Sequence, residues 1–121
     1  MIKQRYDFDE VRKIYQENQK QLDNLVQNIV QLSCENGQTI ATAESCTGGL
    51  LSQKITAVPG ASQMFALGIC TYTNEMKTAI LHVPESTLHT YTAVSPQTAI
   101  AMANGVAALS HADLALSVTG Y

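Results

Sequence analysis

The chain has 121 residues, of which 45% are hydrophobic and 14% are charged, and its formal net charge is −3. That length supports one domain with a modest core and is too short for two. The composition is typical of a globular protein and excludes a disordered one, and the charge provides no basic field for nucleic acid. The Lys and Arg residues near the start interleave with acidic residues, as on a solvated helix face.

The three cysteines, Cys34, Cys46 and Cys70, show no CxxC spacing. This argues against a disulfide framework or a zinc site and favours a reducing compartment. The opening residues, MIKQRYDFDE, lack the apolar stretch of a signal peptide, and no run approaches the ~18 apolar residues of a membrane span. We therefore expect a cytoplasmic protein that has no membrane partner.

The N-terminal third predicts a helix preceded by an arm. Residues 1–21 are polar with scattered apolar points, which indicates a helical or loosely ordered arm. From position 22 onwards, apolar residues recur at steps of three and four, so they share one face of a helix that packs on the domain. They are Leu22, Leu25, Val26, Ile29, Val30 and Leu32. Gly37 favours the left-handed conformation of a helix C-cap and ends the helix.

The rest of the chain alternates short strands and helices. The predicted strands are 39–43, 64–72 and 114–119, and the predicted helices are 50–56, 75–81, about 84–88 and one from 96. The strand at 64–72 is largely apolar, as a strand buried on both faces should be. Asn74 is the expected cap of the helix at 75–81, and Ser95-Pro96 is typical of a helix start. The apolar side of that last helix comprises Ala99, Met102, Ala103, Val106, Ala107 and Leu109.

This alternation predicts an α/β fold, a three-layer α/β/α sandwich with a mainly parallel sheet. We place one such domain at residues 22–121, after the N-terminal arm at 1–21.

The segment with the clearest chemistry is Ala43-Glu44-Ser45-Cys46-Thr47-Gly48-Gly49. Ser45 ends a strand and enters a helix through glycines, so its hydroxyl projects from a sharp turn beside backbone amides that suit an oxyanion. The same helix N-terminus could hold a phosphate. The pattern also fits an ordinary Ser or Thr helix cap, and spacing alone does not separate the two interpretations.

A second candidate group follows the strand at 64–72. Tyr72 ends that strand, and Lys77 lies in the first turn of the next helix, where the helix dipole disfavours a positive charge. A partly buried lysine there would have a lowered pKa and could act as a general base toward a serine. The alternative is a surface lysine that happens to lie early in a helix.

Other reactive residue types are weaker candidates. Cys46 could be a nucleophile, but no histidine has a recognisable spacing to it. The histidines His82, His89 and His111 lack metal-ligand spacing and are expected on the surface. Cys34 and Cys70 are most simply small core residues, and Tyr91 and Met102 are packing residues.

Four blocks of the sequence resemble, in order and spacing, the CinA carboxy-terminal domain family. They are ATAESCTGGLLSQKITAVPGAS, TYTNEMKTAILHVPESTL, AVSPQTAIAMANGV and ADLALSVTG. The resemblance covers about residues 22–121. It implies hydrolysis of the amide of nicotinamide mononucleotide to nicotinate mononucleotide and ammonia, with no metal or redox cofactor.

The resemblance also assigns roles to individual residues. The nucleophile of the family falls on Ser45, its lysine on Lys77 and its tyrosine on Tyr72. The serine loop then supplies the substrate-binding positions, Glu44, Cys46, Thr47, Gly48 and Gly49.

Family members usually continue beyond the VTG strand with a glycine-rich loop, further strands, a basic residue for substrate and a final helix. This chain ends at Tyr121, inside the loop motif, so we expect the last strands and the helix to be absent. The strand at 114–119 would then be an open edge that invites association. We expect a homo-oligomer, a copy that borrows a strand, or marginal stability. Two function classes stay open: an amidohydrolase, and a catalytically silent module that binds a nucleotide or a protein.

Overall fold

A computed structural model describes residues 7–121, which form a parallel sheet with helices on both faces. The elements in chain order are α1 (Phe8–Asn36), β1 (Ile40–Glu44), α2 (Leu50–Thr56), β2 (Phe65–Cys70), α3 (Asn74–Leu81), α4 (Glu85–Tyr91), α5 (Pro96–Ser110) and β3 (Leu114–Val118). A 3-10 turn at Ala61–Gln63 leads into β2. Among residues 7–121, no helix combines the length and the apolarity that crossing a membrane requires.

The sheet has the strand order β2-β1-β3, and both pairings are parallel. Every residue of β1 is buried because this strand has a neighbour on each side and helices above and below. The predicted α/β architecture with a parallel sheet is therefore confirmed. The prediction that the second strand is buried on both faces is wrong: burial alternates along β2, because Leu67 and Ile69 pack against the core under α5, whereas Ala66, Gly68 and Cys70 lie on the face that stays exposed.

Two hydrophobic cores occupy the two faces of the sheet. On one face, α1 and α2 pack against β1 and the turn before β2, through Val26, Val30, Ile40, Ile55, Ala61 and Met64. On the other face, α3 and α5 pack on β1, through Ala41, Ala43, Leu81, Val83, Met102 and Val106. Met102 is thus a packing residue as predicted, whereas Tyr91 is 48% exposed.

Local capping signals decide where the helices begin and end. Gly37 closes α1 at φ 62°, and Ser95 caps α5 with Pro96 in its first turn, as predicted. The cap of α3 was misassigned, because the hydroxyl of Thr73 accepts from the Met76 amide and Asn74 is already helical. The described part of the N-terminal arm, from Phe8, is helical and continuous with the rest of α1; residues 1–6 lie outside the described residues.

The apolar face expected for α1 is only partly correct. Val26 and Val30 are buried against the sheet, but Leu25 and Leu32 are each 57% exposed. The exposed residues lie on the neighbouring side of the helix, which no other described element covers. Leu109 at the end of α5 is likewise exposed rather than packed, and Cys70 is exposed because it lies on the exposed face of β2.

Candidate active site

The predicted serine, tyrosine and lysine meet at the carboxyl edge of the sheet. Ser45 follows β1 and Tyr72 lies just beyond β2, and since the strands are parallel both segments emerge at the same edge. They border an open cavity of about 400 Å³, a size that suits a small-molecule ligand. Crevices at this end of an open α/β sheet are common ligand sites.

Ser45 and Lys77 are in direct contact inside this site. Lys77 Nζ lies 3.0 Å from Ser45 Oγ, and the amine also donates to the carbonyl oxygens of Thr71 at 3.1 Å and Tyr72 at 3.0 Å. The serine is 6% exposed and the lysine 1% exposed. The lysine therefore extends from α3 into the sheet edge and ends on the serine, so it is not a surface residue.

Burial lowers the pKa of Lys77 from its ordinary value of 10.5, although the nearby thiols of Cys70 and Cys46 partly oppose the shift. No carboxylate of residues 7–121 lies within ion-pairing distance of its amine. A neutral amine has two N–H donors and one lone pair. The three contacts accommodate both protonation states: an ammonium donates to all three oxygens, whereas a neutral amine donates to the two carbonyl oxygens and directs its lone pair at the Ser45 hydroxyl. Burial is the property of the site that favours the neutral amine.

The glycines of the serine loop give it a left-handed turn. Gly48 has φ 61° and Gly49 has φ 110°, conformations that residues with a Cβ rarely adopt. The Gly48 amide donates to the Ser45 carbonyl. Within the described chain, the amides of Cys46, Thr47 and Gly49 have no hydrogen-bond acceptor. These amides are the available donors next to the serine.

Glu44 anchors this loop from behind. Its carboxylate accepts from the Thr47 hydroxyl at 2.8 Å, from the amides of Leu51 and Ser52 at 2.8 and 2.9 Å, and from the Ser52 hydroxyl at 2.6 Å. Burial alone would raise the pKa of Glu44, but these hydrogen bonds, with Ser52 contributing most, outweigh it and lower the pKa. The carboxylate thus occupies the N-terminus of α2, where the sequence had suggested a phosphate.

The remaining predicted site residues divide between the cavity and its support. Cys46 and Tyr72 line the cavity, and Tyr72 is 72% exposed. Only the backbone carbonyl of Tyr72 contacts Lys77; its hydroxyl makes no hydrogen bond within residues 7–121. Thr47, Gly48 and Gly49 are not among the lining residues and shape the loop instead.

The opposite wall comes from two segments that the sequence did not single out. One is Ala93 and Val94 before α5, and the other is the end of the chain after β3, residues 119–121. The Thr119 hydroxyl joins them by donating to the Ala93 carbonyl at 2.7 Å. The position of residues 119–121 was predictable, because they follow a third parallel strand and must emerge beside Ser45.

The histidines take no part in the site. His82 and His111 are the left-handed C-caps of α3 and α5, and His82, His89 and His111 are all exposed, as predicted. The described residues contain no group of three or more His, Cys, Asp or Glu side chains that could hold a metal ion.

Comparison with known sequences gives a consistent result. A family model described as the CinA C-terminal domain matches residues 22–121. A competence-damage inducible protein of Caldanaerobacter subterraneus subsp. tengcongensis is 50% identical over 107 residues, which are 88% of this chain and 25% of that protein. A CinA-like protein of Desulfotalea psychrophila is 49% identical over 98 residues, 81% of this chain and 24% of that protein.

Solved structures resemble the fold as well. The competence/damage inducible protein CihA from Agrobacterium tumefaciens superposes with a TM-score of 0.80 at 41% identity, over 82% of this chain and 60% of that one. A CinA superfamily protein from Escherichia coli gives 0.81 at 34% identity, over 83% and 58%. The chain thus spans about a quarter of the length of these curated relatives and about 60% of the solved chains.

Proposed function

This chain belongs to the CinA C-terminal domain family, and from that premise we propose that it is an amidohydrolase that converts nicotinamide mononucleotide to nicotinate mononucleotide and ammonia. The observation that carries the proposal is the buried contact of 3.0 Å between Lys77 Nζ and Ser45 Oγ. A serine and a lysine that is favoured in its neutral form constitute a nucleophile and its base. The choice of substrate and reaction rests on the resemblance to the family. The Ser45–Lys77 pair supplies a nucleophile and a base that suit amide hydrolysis.

The first half of the reaction forms an acyl-enzyme. The lone pair of Lys77 accepts the proton of Ser45 as Oγ attacks the carboxamide carbon, and the carbonyl oxygen becomes an oxyanion. Of the loop amides without an acceptor in residues 7–121, that of Cys46 belongs to a residue that lines the cavity, and it is the first candidate to stabilise that charge. The tetrahedral intermediate then collapses, its C–N bond breaks, and the ammonium of Lys77 returns the proton to the departing ammonia.

The second half repeats these steps with water. Neutral Lys77 takes a proton from a water molecule, the resulting hydroxide attacks the acyl carbon, and the C–O bond to Ser45 breaks. The lysine returns the proton to Ser45 Oγ, and the product leaves as a carboxylic acid that loses its proton to water. No step needs a metal or a redox cofactor, since only protons and one acyl group move.

The substrate is expected to lie with its pyridine ring in the cavity beside Tyr72, whose exposed ring offers an aromatic face. The phosphate must bind away from the N-terminus of α2, because Glu44 already accepts the amides there. We also place the protein in the cytoplasm, where its unpaired cysteines, Cys34, Cys46 and Cys70, would stay reduced.

Ammonia release from nicotinamide mononucleotide tests this proposal. Ser45→Ala should reduce the rate by at least about 100-fold, because the nucleophile is lost. Ser62→Ala, a surface serine in the turn before β2, is the matched control and should keep the wild-type rate. Release that persists in Ser45→Ala would disprove the serine mechanism. No release from folded wild-type protein that still binds the nucleotide would favour the silent binding module.

A further inference from the structure

One side of α1 carries a row of exposed apolar side chains. Phe8 is 80% exposed, Tyr15 62%, and Leu25 and Leu32 57% each. We call the complete row the α1 stripe; its members are Phe8, Val11, Tyr15, Leu22, Leu25, Ile29 and Leu32. Side chains of this size on one helix side are unusual on a surface that faces only water.

The α1 stripe follows a heptad repeat. Steps of three and four alternate strictly through positions 8, 11, 15, 18, 22, 25, 29 and 32. Seven of the eight positions are apolar, and the eighth is Asn18. A strict period of 3.5 residues keeps an apolar seam facing a partner helix along a supercoil, and it is the signature of a coiled coil.

The globular part of the chain does not cover this stripe. The residues of α1 that face the domain are Val26, Val30 and Ser33, which lie roughly a quarter of a turn from the stripe at about 3.6 residues per turn. No side chain of α1 before Val26 is buried. The polar contacts of Gln19 and Asp23 with Lys54 of α2 are the only side-chain hydrogen bonds or ion pairs from residues 8–25 to the part of the described chain that follows α1. An isolated helix of that length is marginal in water, because tertiary packing supplies most of its stability.

We propose that the α1 stripe binds the same stripe of a second copy in a parallel, two-stranded coiled coil. This inference is independent of the proposed function, because α1 contributes no residue to the cavity lining. Asn18 argues for the parallel arrangement. In register, Asn18 occupies a d position of the heptad, faces its own counterpart, and the two amides can hydrogen-bond to each other. In an antiparallel pair it would face an apolar residue and stay unsatisfied.

The residues that flank the seam are compatible with self-association. In a parallel pair, each g position of the heptad, the residue directly before an a position, faces the e position five residues later on the partner. Asp7 would thereby face Arg12 of the second copy, a favourable pair that occurs on both sides by symmetry. The flanking positions between 14 and 33 carry no charge; they are Ile14, Gln19, Gln21, Val26, Asn28 and Ser33. No like charges therefore oppose the pairing of identical chains.

Sedimentation equilibrium of the full chain tests the association. The expected mass is twice the 13.1 kDa of the chain. Leu25→Glu should lower the measured mass to that of the monomer, because it places a charge in the seam. Asn24→Glu, on the exposed polar side of α1, is the control and should leave the dimer intact. Circular dichroism and urea unfolding of both variants establish that they fold. A wild-type monomer, or a dimer that Leu25→Glu does not dissociate, overturns the proposal.

Cross-linking tests the register. In a chain whose cysteines are replaced by serine, Asn18→Cys should form a disulfide-linked dimer on mild oxidation, because in-register seam positions approach within disulfide reach. Gln16→Cys, on the outer side of the helix, should not. Equal cross-linking by both, or by neither, overturns the parallel arrangement. Leu116→Glu on β3 distinguishes the coiled coil from the alternative, association through the open edge of β3. The Leu116→Glu protein should remain a dimer, and a monomer would overturn the proposal.

Discussion

Burial and function make opposite demands on Lys77. A charged ammonium that is 1% exposed and has no carboxylate partner within the described chain destabilises the fold. The same burial favours the neutral amine that a general base requires. Sequence spacing could not predict the contact with Ser45, since 32 residues separate the two; only the family resemblance paired them. The local sequence did predict the serine turn, through the strand end and the two glycines.

The protonation of Lys77 should appear in the pH dependence of activity. We expect kcat/KM to rise with pH and to reach a plateau above the apparent pKa of Lys77, which lies below 10.5. The reason is that the neutral amine is the active form. Lys77→Arg keeps the positive charge and cannot act as a base, so it should lower kcat/KM by about 100-fold or more. A wild-type profile that falls between neutral and alkaline pH would contradict this role.

The free energy of unfolding should also depend on the protonation of Lys77. The folded pKa of Lys77 lies below the unfolded value, so the unfolded chain binds more protons between the two and the free energy of unfolding rises with pH in that window. In Lys77→Met this rise should disappear. Urea unfolding of both proteins across neutral to alkaline pH measures the difference, and parallel curves would contradict the burial argument.

Glu44 has the same sign of pH dependence as Lys77, but here the fold favours the charged form. Its folded pKa lies below the ordinary value of 4.5, so its stabilisation is complete above that value and is lost as the pH falls through the folded pKa. Glu44→Gln should lower the free energy of unfolding at pH 7 by about 1.5–3 kcal/mol, because charge-assisted hydrogen bonds are lost. The difference from wild type should shrink at acid pH. Glu17→Gln on the exposed side of α1 is the control, and an equal loss in both would contradict the anchoring role.

At the scale of elements, capping residues, glycines and prolines predicted where helices begin and end. They could not predict which elements pack against one another. The helix of residues 50–56 and the start of α5 at Pro96 match the structure because glycines, a cap and a proline encode them. The exposure of β2 depends on which of its faces packs against the core, which is a property of the tertiary arrangement. The spacing of the apolar residues of α1 predicts one packing face, whereas in the structure they form two adjacent sides of the helix with different contacts.

The tight contact between α5 and the end of α3 predicts an effect on stability. A Cβ added to Gly105 of α5 would collide with the carbonyl oxygen of Leu81 at the end of α3. Gly105→Ala should therefore destabilise the protein by about 1–3 kcal/mol, although alanine favours a helix over glycine by about 1 kcal/mol. Asn104→Ala, at the exposed neighbouring position, should not. Thermal unfolding measures both, and a stabilised Gly105→Ala would show that the helices can separate without loss.

At the scale of the whole molecule, two of the exposed apolar surfaces of residues 7–121 are continuous enough to pair with another chain. One is the α1 stripe, and the other is β3, where Leu114 and Leu116 are each 47% exposed beside β1. The strand was expected to leave an apolar edge, and within the described residues it pairs only with β1. The proposed coiled coil covers the stripe and leaves the edge of β3 available.

The anchoring of the serine loop by Glu44 divides the site into two parts that can change separately. The nucleophile, its base and the loop are fixed by buried hydrogen bonds in β1, α2 and α3. The facing wall, at positions 93–94 and 119–121, contributes no donor or acceptor to those hydrogen bonds, although it adjoins the serine loop, because the Ser45 amide donates to the Val118 carbonyl directly before the wall. Substitutions in the wall can therefore alter which ligand the cavity admits while the contacts of Glu44, Ser45 and Lys77 stay in place. A designer could change the ligand of this scaffold by exchanging two short segments.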